Sequence, residues 1–233
     1  AVSPQDVYDI ASVTKIAAST LLAMHLQSKG KYSLDKKLKD YIPEVTGDGP
    51  FGNILIRDMM AHQAGLTPWI PFYKRTLQNG TWNPAIYSTT KKPGFEHQVA
   101  EGLYINDSYK DSMYAQILKS TLGPKKYEYS DLCYYFTQKI LEKQIGQTQN
   151  LYLEEHIYRP MGLRYMRYLP LQHFDKMHIV PTENDQAFRK QLLHGHVHDP
   201  GAAMLGGVAG HAGIFANATD LASIMQLFLR SEE

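Results

Sequence analysis

The chain carries a single cysteine, Cys133, in 233 residues. No internal disulfide can form, so the fold rests on packing, and the redox compartment stays open. Charge imbalance is equally scarce: 24 Lys+Arg against 23 Asp+Glu leave a formal net charge of +1. That balance sets up no field selecting nucleic acid or an anionic membrane, and the basic residues form no stripe. No apolar run approaches the roughly 20 residues that cross a bilayer, so no transmembrane segment is expected. No signal peptide is visible at Ala1, so a leader is absent or already removed. Strand-like alternation is sparse, and repeats and low-complexity tracts are missing. The 43% hydrophobic content suffices for one sizeable core or two small ones. No linker divides the chain, so residues 1–233 read as a single domain.

What is present is mostly helical punctuation. A first long helix is expected from about Ser12 to Lys29, with Val13, Ile16, Ala17, Thr20, Leu21 and Met24 on a buried face and Gly30 as a stop. Short helices follow at 34–41 and 54–62, the second closed by Gly65. Residues 67–94 hold four prolines and both tryptophans in a long irregular segment, the kind that serves as a lid or binding loop. Residues 95–105 read as a short strand, 107–122 as a helix, 131–145 as a helix stopped by Gly146, and 188–198 as a short strand. Thr148 caps another helix, and Asn217-Ala-Thr-Asp220 opens a last one running to about Leu229. Many of the 16 tyrosines cluster between Trp69 and Tyr135, where rings with polar tips could line a cleft, pack against a partner, or cover substrate.

Ser12-Val-Thr-Lys15 is the stretch richest in chemistry. Serine followed three positions later by lysine puts both side chains on one helical face, about one turn apart. A serine hydroxyl becomes nucleophilic when a neighbour takes its proton, and a lysine can do so if its surroundings push its pKa well below about 10.4. Small and apolar residues around the motif (Ile10, Ala11, Val13, Ile16, Ala17) suggest a buried lysine, which is costly unless it is used or paired. The plain alternative is Ser12 as a helix cap with Lys15 reaching to water.

Further residues align with a known family. After Ser12-x-x-Lys15 come Leu34-Asp35 through Tyr41-Ile-Pro43-Glu44, Ile56-Arg-Asp-Met-Met-Ala-His62-Gln-Ala-Gly65-Leu66, and Tyr129-Ser130-Asp131 opening a helix. Ile157-Tyr-Arg-Pro160-Met-Gly162-Leu163, Leu205-Gly-Gly-Val-Ala-Gly-His211-Ala-Gly213-Ile-Phe and Thr219-Asp-Leu-Ala222 complete the series. The combination resembles the serine β-lactamase and penicillin-binding-protein superfamily. Leu132 after Ser130-Asp131 breaks the S-D-N form, and Tyr129-x-Asp131 fits the tyrosine form of class C β-lactamases, D-alanyl-D-alanine carboxypeptidases and related esterases. The segment from Val197-His198-Asp199 onward looks most like β-lactamase-like domains appended to glycoside hydrolases.

The resemblance implies a serine hydrolase performing acyl transfer on an ester or amide, whether a β-lactam, a D-Ala-D-Ala peptide or a carbohydrate ester. Ser12 would attack, Lys15 would accept or relay its proton, and Tyr129 would share the base role and protonate the leaving group. Asp131 would pair with Lys15, as a positioning group or as a mark of altered chemistry; a helix-cap carboxylate is its structural alternative. No cofactor is implied. The partner is a small-molecule or peptidoglycan-like substrate, the location periplasmic or secreted in a bacterium, and a glycoside hydrolase domain is expected in the parent protein. His211-Ala-Gly213 matches the family's strand motif, but its surroundings resemble an earlier segment, which would put the true motif beyond Glu233. The fold expected is therefore mainly α, the helical portion of the α+β β-lactamase/DD-peptidase-like fold, a fragment with most of its antiparallel sheet missing and weak or no activity. The reading from another class is a non-catalytic helical module binding cell wall or glycan through the aromatic cleft.

Two lesser features remain. His194, His196 and His198 alternate beside Asp199, a spacing that could hold a metal on a strand or simply make a polar strand face. Cys133 falls inside a helix with no histidine at a motif spacing and reads as core.

Overall fold

The computed structural model describes residues 2–230; the Ala1 reading and residues 231–233 lie outside the described part. A helical run opens with a tight turn at Ala11–Val13, widens into a π turn over Lys15–Thr20, and continues as α1 (Leu21–Ser28). Its buried side is Lys15, Ala17, Ala18, Leu21 and Leu22, whereas Val13, Ile16 and Met24 are exposed. Short helices α2 (Leu38–Tyr41), α3 (Pro43–Thr46) and α4 (Ile56–Met60) follow. After them come α5 (Tyr109–Leu118), the longest helix α6 (Leu132–Ile145), α7 (Gln149–Leu153), α8 (Pro200–Met204) and α9 (Ala218–Leu229). Gly146 ends α6 at φ +73°, the left-handed conformation favoured past a helix end.

The expectation of a mainly α chain stripped of its sheet is corrected. The described residues carry four small antiparallel sheets: Tyr8–Asp9 with Phe215–Ala216, Leu77–Gln78 with Thr81–Trp82, Leu103–Ile105 between Tyr87–Ser88 and His97–Ala100, and Glu183–Asp185 with Gln191–Leu193. The architecture is α+β. The irregular segment 67–94 contains a hairpin, and the strand expected at 188–198 contracts to Gln191–Leu193.

A main core unites most of these pieces, and Val7, Ile179 and Phe215 form a second, smaller cluster. Leu22 and Leu26 of α1, Ile56 and Met59 of α4, and Phe136, Ile140 and Leu141 of α6 are all removed from water. Each such side chain contributes roughly 1.5–3 kcal/mol of hydrophobic stabilisation. Polar ties fix the helical run within that core. Tyr158 donates from its buried hydroxyl to the Ala17 carbonyl at 2.8 Å, and Ser19 donates to the Gly210 carbonyl at 2.8 Å. A Cβ at Gly210 would lie 2.3 Å from the Tyr134 carbonyl, so only glycine lets the 206–214 loop press onto α6 and reach the serine turn.

Candidate active site

Three parts of the chain converge on the Lys15 ammonium. Its Nζ lies 2.6 Å from Asp131 Oδ1, 2.9 Å from Ser12 Oγ and 3.3 Å from the His211 carbonyl oxygen. These three acceptors match the three N–H donors of an ammonium group. Nζ also sits 4.8 Å from the centre of the Tyr129 ring and 5.7 Å from that of Tyr134, within cation–π range. The structure thus brings Ser12, Lys15, Tyr129 and Asp131 together. The Lys15 side chain is only 4% exposed, so it does not reach to water, and Ser12 makes no capping hydrogen bond to its helix. Asp131 occupies the N-cap position of α6, but its side chain makes no cap bond and turns to Lys15 instead.

The serine turn is held from two sides. Ala11, just before Ser12, has φ +47°, an uncommon conformation for a residue with a Cβ, and its N–H is received by Asp9 Oδ1 at 2.7 Å. Asp9 Oδ2 accepts the His198 N–H at 2.7 Å, tying the turn to the loop before α8. Burial raises the Asp9 pKa, against the lowering effect of those two N–H groups.

Three residues to which the sequence assigned no role in the site shape it. His62, at the end of the helix expected over 54–62, lies with its ring 4.5 Å from the Tyr129 ring and 5.8 Å from that of Tyr134. Burial, then the Lys15 charge, lower its pKa and favour a neutral imidazole, outweighing the Asp131 carboxylate. His211 is buried, stacks on Tyr135 at 4.6 Å and meets Asp199 Oδ1 through Nε2 at 2.8 Å. Burial opposes ionisation of Asp199, but His211, the Ala202 N–H and Lys15 prevail and hold its carboxyl at about 2. The segment Ile56-Arg-Asp-Met-Met-Ala-His62-Gln-Ala-Gly65-Leu66 was visible in the sequence as a family resemblance; the proximity of His62 to Tyr129 arises only from tertiary packing.

The three alternating histidines do not converge. His194 Nε2 meets the Lys176 and Ile179 carbonyls, His198 meets Glu183 at 2.8 Å, and half-buried His196 has its pKa lowered by desolvation to about 4. Among the described residues no group of three or more His, Cys, Asp or Glu is placed to hold a metal ion. Cys133 is buried behind Asp131 on α6.

A serine hydroxyl on an ammonium, a phenol over it and a carboxylate behind it can together move a proton on and off a reacting oxygen. Comparison with known proteins shows the family and the fold. The β-lactamase family model matches residues 1–233. A protein of Escherichia coli (strain K12) named "Putative D-alanyl-D-alanine carboxypeptidase" is 32% identical over 240 residues, covering 95% of this chain and 50% of that protein. The "N-acetylmuramyl-L-alanine amidase" of Bacillus subtilis (strain 168) is 30% identical over 242 residues, covering 95% and 49%. The chain therefore spans about half the length of the curated relatives it matches. Among solved structures, the octameric penicillin-binding protein homologue from Pyrococcus abyssi superposes with a TM-score of 0.67 at 17% identity, covering 100% of this chain and 47% of that one. A class C β-lactamase from Rhodobacter sphaeroides gives 0.64 at 16%, covering 98% and 53%. A match along the whole chain also overturns the expectation of a helical portion without its sheet.

Proposed function

The chain belongs to the β-lactamase family, within the serine β-lactamase and penicillin-binding-protein superfamily, and from that premise we propose that it is a serine hydrolase domain acting through an acyl-enzyme. Its substrate is an amide or ester of peptidoglycan-peptide or β-lactam type. Ser12 Oγ attacks the carbonyl carbon, a C–O bond forms, and the hydroxyl proton passes into the Lys15–Tyr129 pair. In the resting arrangement Lys15 donates to Ser12, so it accepts that proton only after giving up one of its own. Tyr129, 44% exposed at the mouth of the site, is the group open to substrate, and it returns the proton to the leaving nitrogen or oxygen. Asp131 fixes Lys15 on the serine. The Ser12 N–H, at the start of the helical run, contributes to stabilising the oxyanion. Water then cleaves the ester and restores Ser12.

The observation that carries this reading is the 2.9 Å contact between Lys15 Nζ and Ser12 Oγ beneath the Tyr129 ring. Residues 1–233 act in it as one domain of a periplasmic or secreted bacterial protein, with the glycoside hydrolase partner domain that the resemblance implies. A fluorescent penicillin and a fluorophosphonate should label the full-length protein and spare Ser12→Ala. Labelling that survives Ser12→Ala would reject the nucleophile. Exposed Trp69, Tyr127 and Tyr129 beside the site support a second reading, a non-catalytic module binding cell wall or glycan. Absence of any label together with binding to peptidoglycan would favour it.

A further inference from the structure

His62 receives both N–H groups that flank Tyr129. Its backbone carbonyl accepts the Glu128 N–H at 2.9 Å, and its Nδ1 accepts the Ser130 N–H at 3.1 Å. Between those two anchors the Tyr129 ring lies 4.5 Å from the imidazole, inclined at 33°. His62 reaches both N–H groups from an uncommon backbone conformation, φ +56°, just past the end of α4. The following residues continue the cradle: Ser130 Oγ donates to the Thr67 carbonyl at 2.7 Å, and the Asp131 N–H to the Pro68 carbonyl at 3.0 Å. Gly65, at φ +72°, carries the cradle past Gly123, whose carbonyl a Cβ there would meet at 2.2 Å.

We propose that His62 is a positioning residue, which clamps the N–H groups of Glu128 and Ser130, the residues on either side of Tyr129, and so aims the phenol at the Ser12–Lys15 turn. The inference rests on the acyl-transfer reading for its consequence, but the clamp itself is a statement about hydrogen bonding. Accepting through Nδ1 requires that a neutral ring carry its proton on Nε2. Protonating Nδ1 breaks the bond to Ser130 and adds a second cation near Lys15. The charged groups facing the ring are Lys15 and Asp131; Tyr127, Tyr129 and Tyr134 surround it with aromatic faces.

The test compares His62→Asn with His62→Gly in the full-length protein. Both tolerate a left-handed backbone, and only Asn places an acceptor near the position of Nδ1. Labelling by fluorescent penicillin should fall roughly tenfold or more in His62→Gly, on the scale of catalytic-group misplacement, and recover most of that loss in His62→Asn. The wild-type rate should decline in acid as Nδ1 protonates, at a pH below the ordinary imidazole range, and that limb should be absent in His62→Asn. Equal losses in both variants, or no loss in His62→Gly, would overturn the proposal. Nitrogen-15 NMR of the unmodified protein judges the clamp even if a variant fails to fold: a proton on Nε2 is expected at neutral pH, and a proton on Nδ1 would overturn it. Wild-type protein that takes no label would count against the acyl-transfer reading instead, leaving the NMR result to decide the clamp.

Discussion

Removing the carboxylate beneath Lys15 tests the centre of the site as a matter of stability, independently of substrate. In Asp131→Leu the ammonium keeps only Ser12 Oγ and the His211 carbonyl, and its side chain is 4% exposed. Breaking a buried ion pair by deleting one partner costs about 3–5 kcal/mol. The lower end applies here, because Asp131 is 19% exposed and water can enter its place. For a chain of this length each kcal/mol moves the melting temperature by about 2–4 °C, so a loss of about 3 kcal/mol lowers it by about 6–12 °C. Lys15→Met should cost less, since the carboxylate left behind borders solvent. The double variant Lys15→Met/Asp131→Leu removes both charges and should regain most of the loss, as apolar replacements of buried pairs commonly do. Scanning calorimetry of the four proteins completes the cycle. A melting temperature for Asp131→Leu within about 2 °C of wild type, or a double variant no more stable than Asp131→Leu, would refute the reasoning.

Two further outcomes are expected. Asp199, held at about 2 in the folded protein, contributes stability that is complete above the unfolded carboxylate value and is lost as the pH falls through its folded value. Between about pH 4 and pH 2 the wild type should lose on the order of 2 kcal/mol that Asp199→Asn does not lose; parallel acid-denaturation curves would count against this. Burial pushes the Cys133 thiol up to about 12, against smaller opposing effects from Ser130 and Lys15. Iodoacetamide should therefore leave the native protein untouched and modify it in denaturant, whereas rapid native modification would show that the α6 thiol is not sealed in the core.

The sequence was most legible where order is local. α6 and α9 lie close to the spans that capping residues and stop signals mark, and the three-residue offset of Ser12 and Lys15 placed both on one turn. The same periodicity misread which side of that run is buried. A 3.6-residue template assigns Val13, Ile16 and Met24 inward, but the chain winds tightly at Ala11–Val13 and widely at Lys15–Thr20, so the apolar face drifts away from the template. The spans 95–105 and 188–198 were marked as strands and do contain them, but the other strands escaped notice because they are two or three residues long, too short to show alternation. Tyr129 and Asp131 were reached through family resemblance, since nothing local links them to Ser12. His62, Asp199 and His211 stood in strings the sequence singled out, but their places at the site were not legible there, because those come from segments far apart in sequence meeting around one ammonium.

The pairing of Tyr8–Asp9 with Phe215–Ala216 has a consequence for synthesis of the protein. The turn bearing Ser12 leaves the ribosome well ahead of the strand that braces it and the carbonyl that Lys15 reaches, which follow some two hundred residues later. Loop-closure entropy opposes such distant pairing until the intervening chain has collapsed. A nascent chain halted before Phe215 would thus carry every side chain of the Ser12–Lys15–Tyr129–Asp131 cluster and still lack the strand that braces the serine turn.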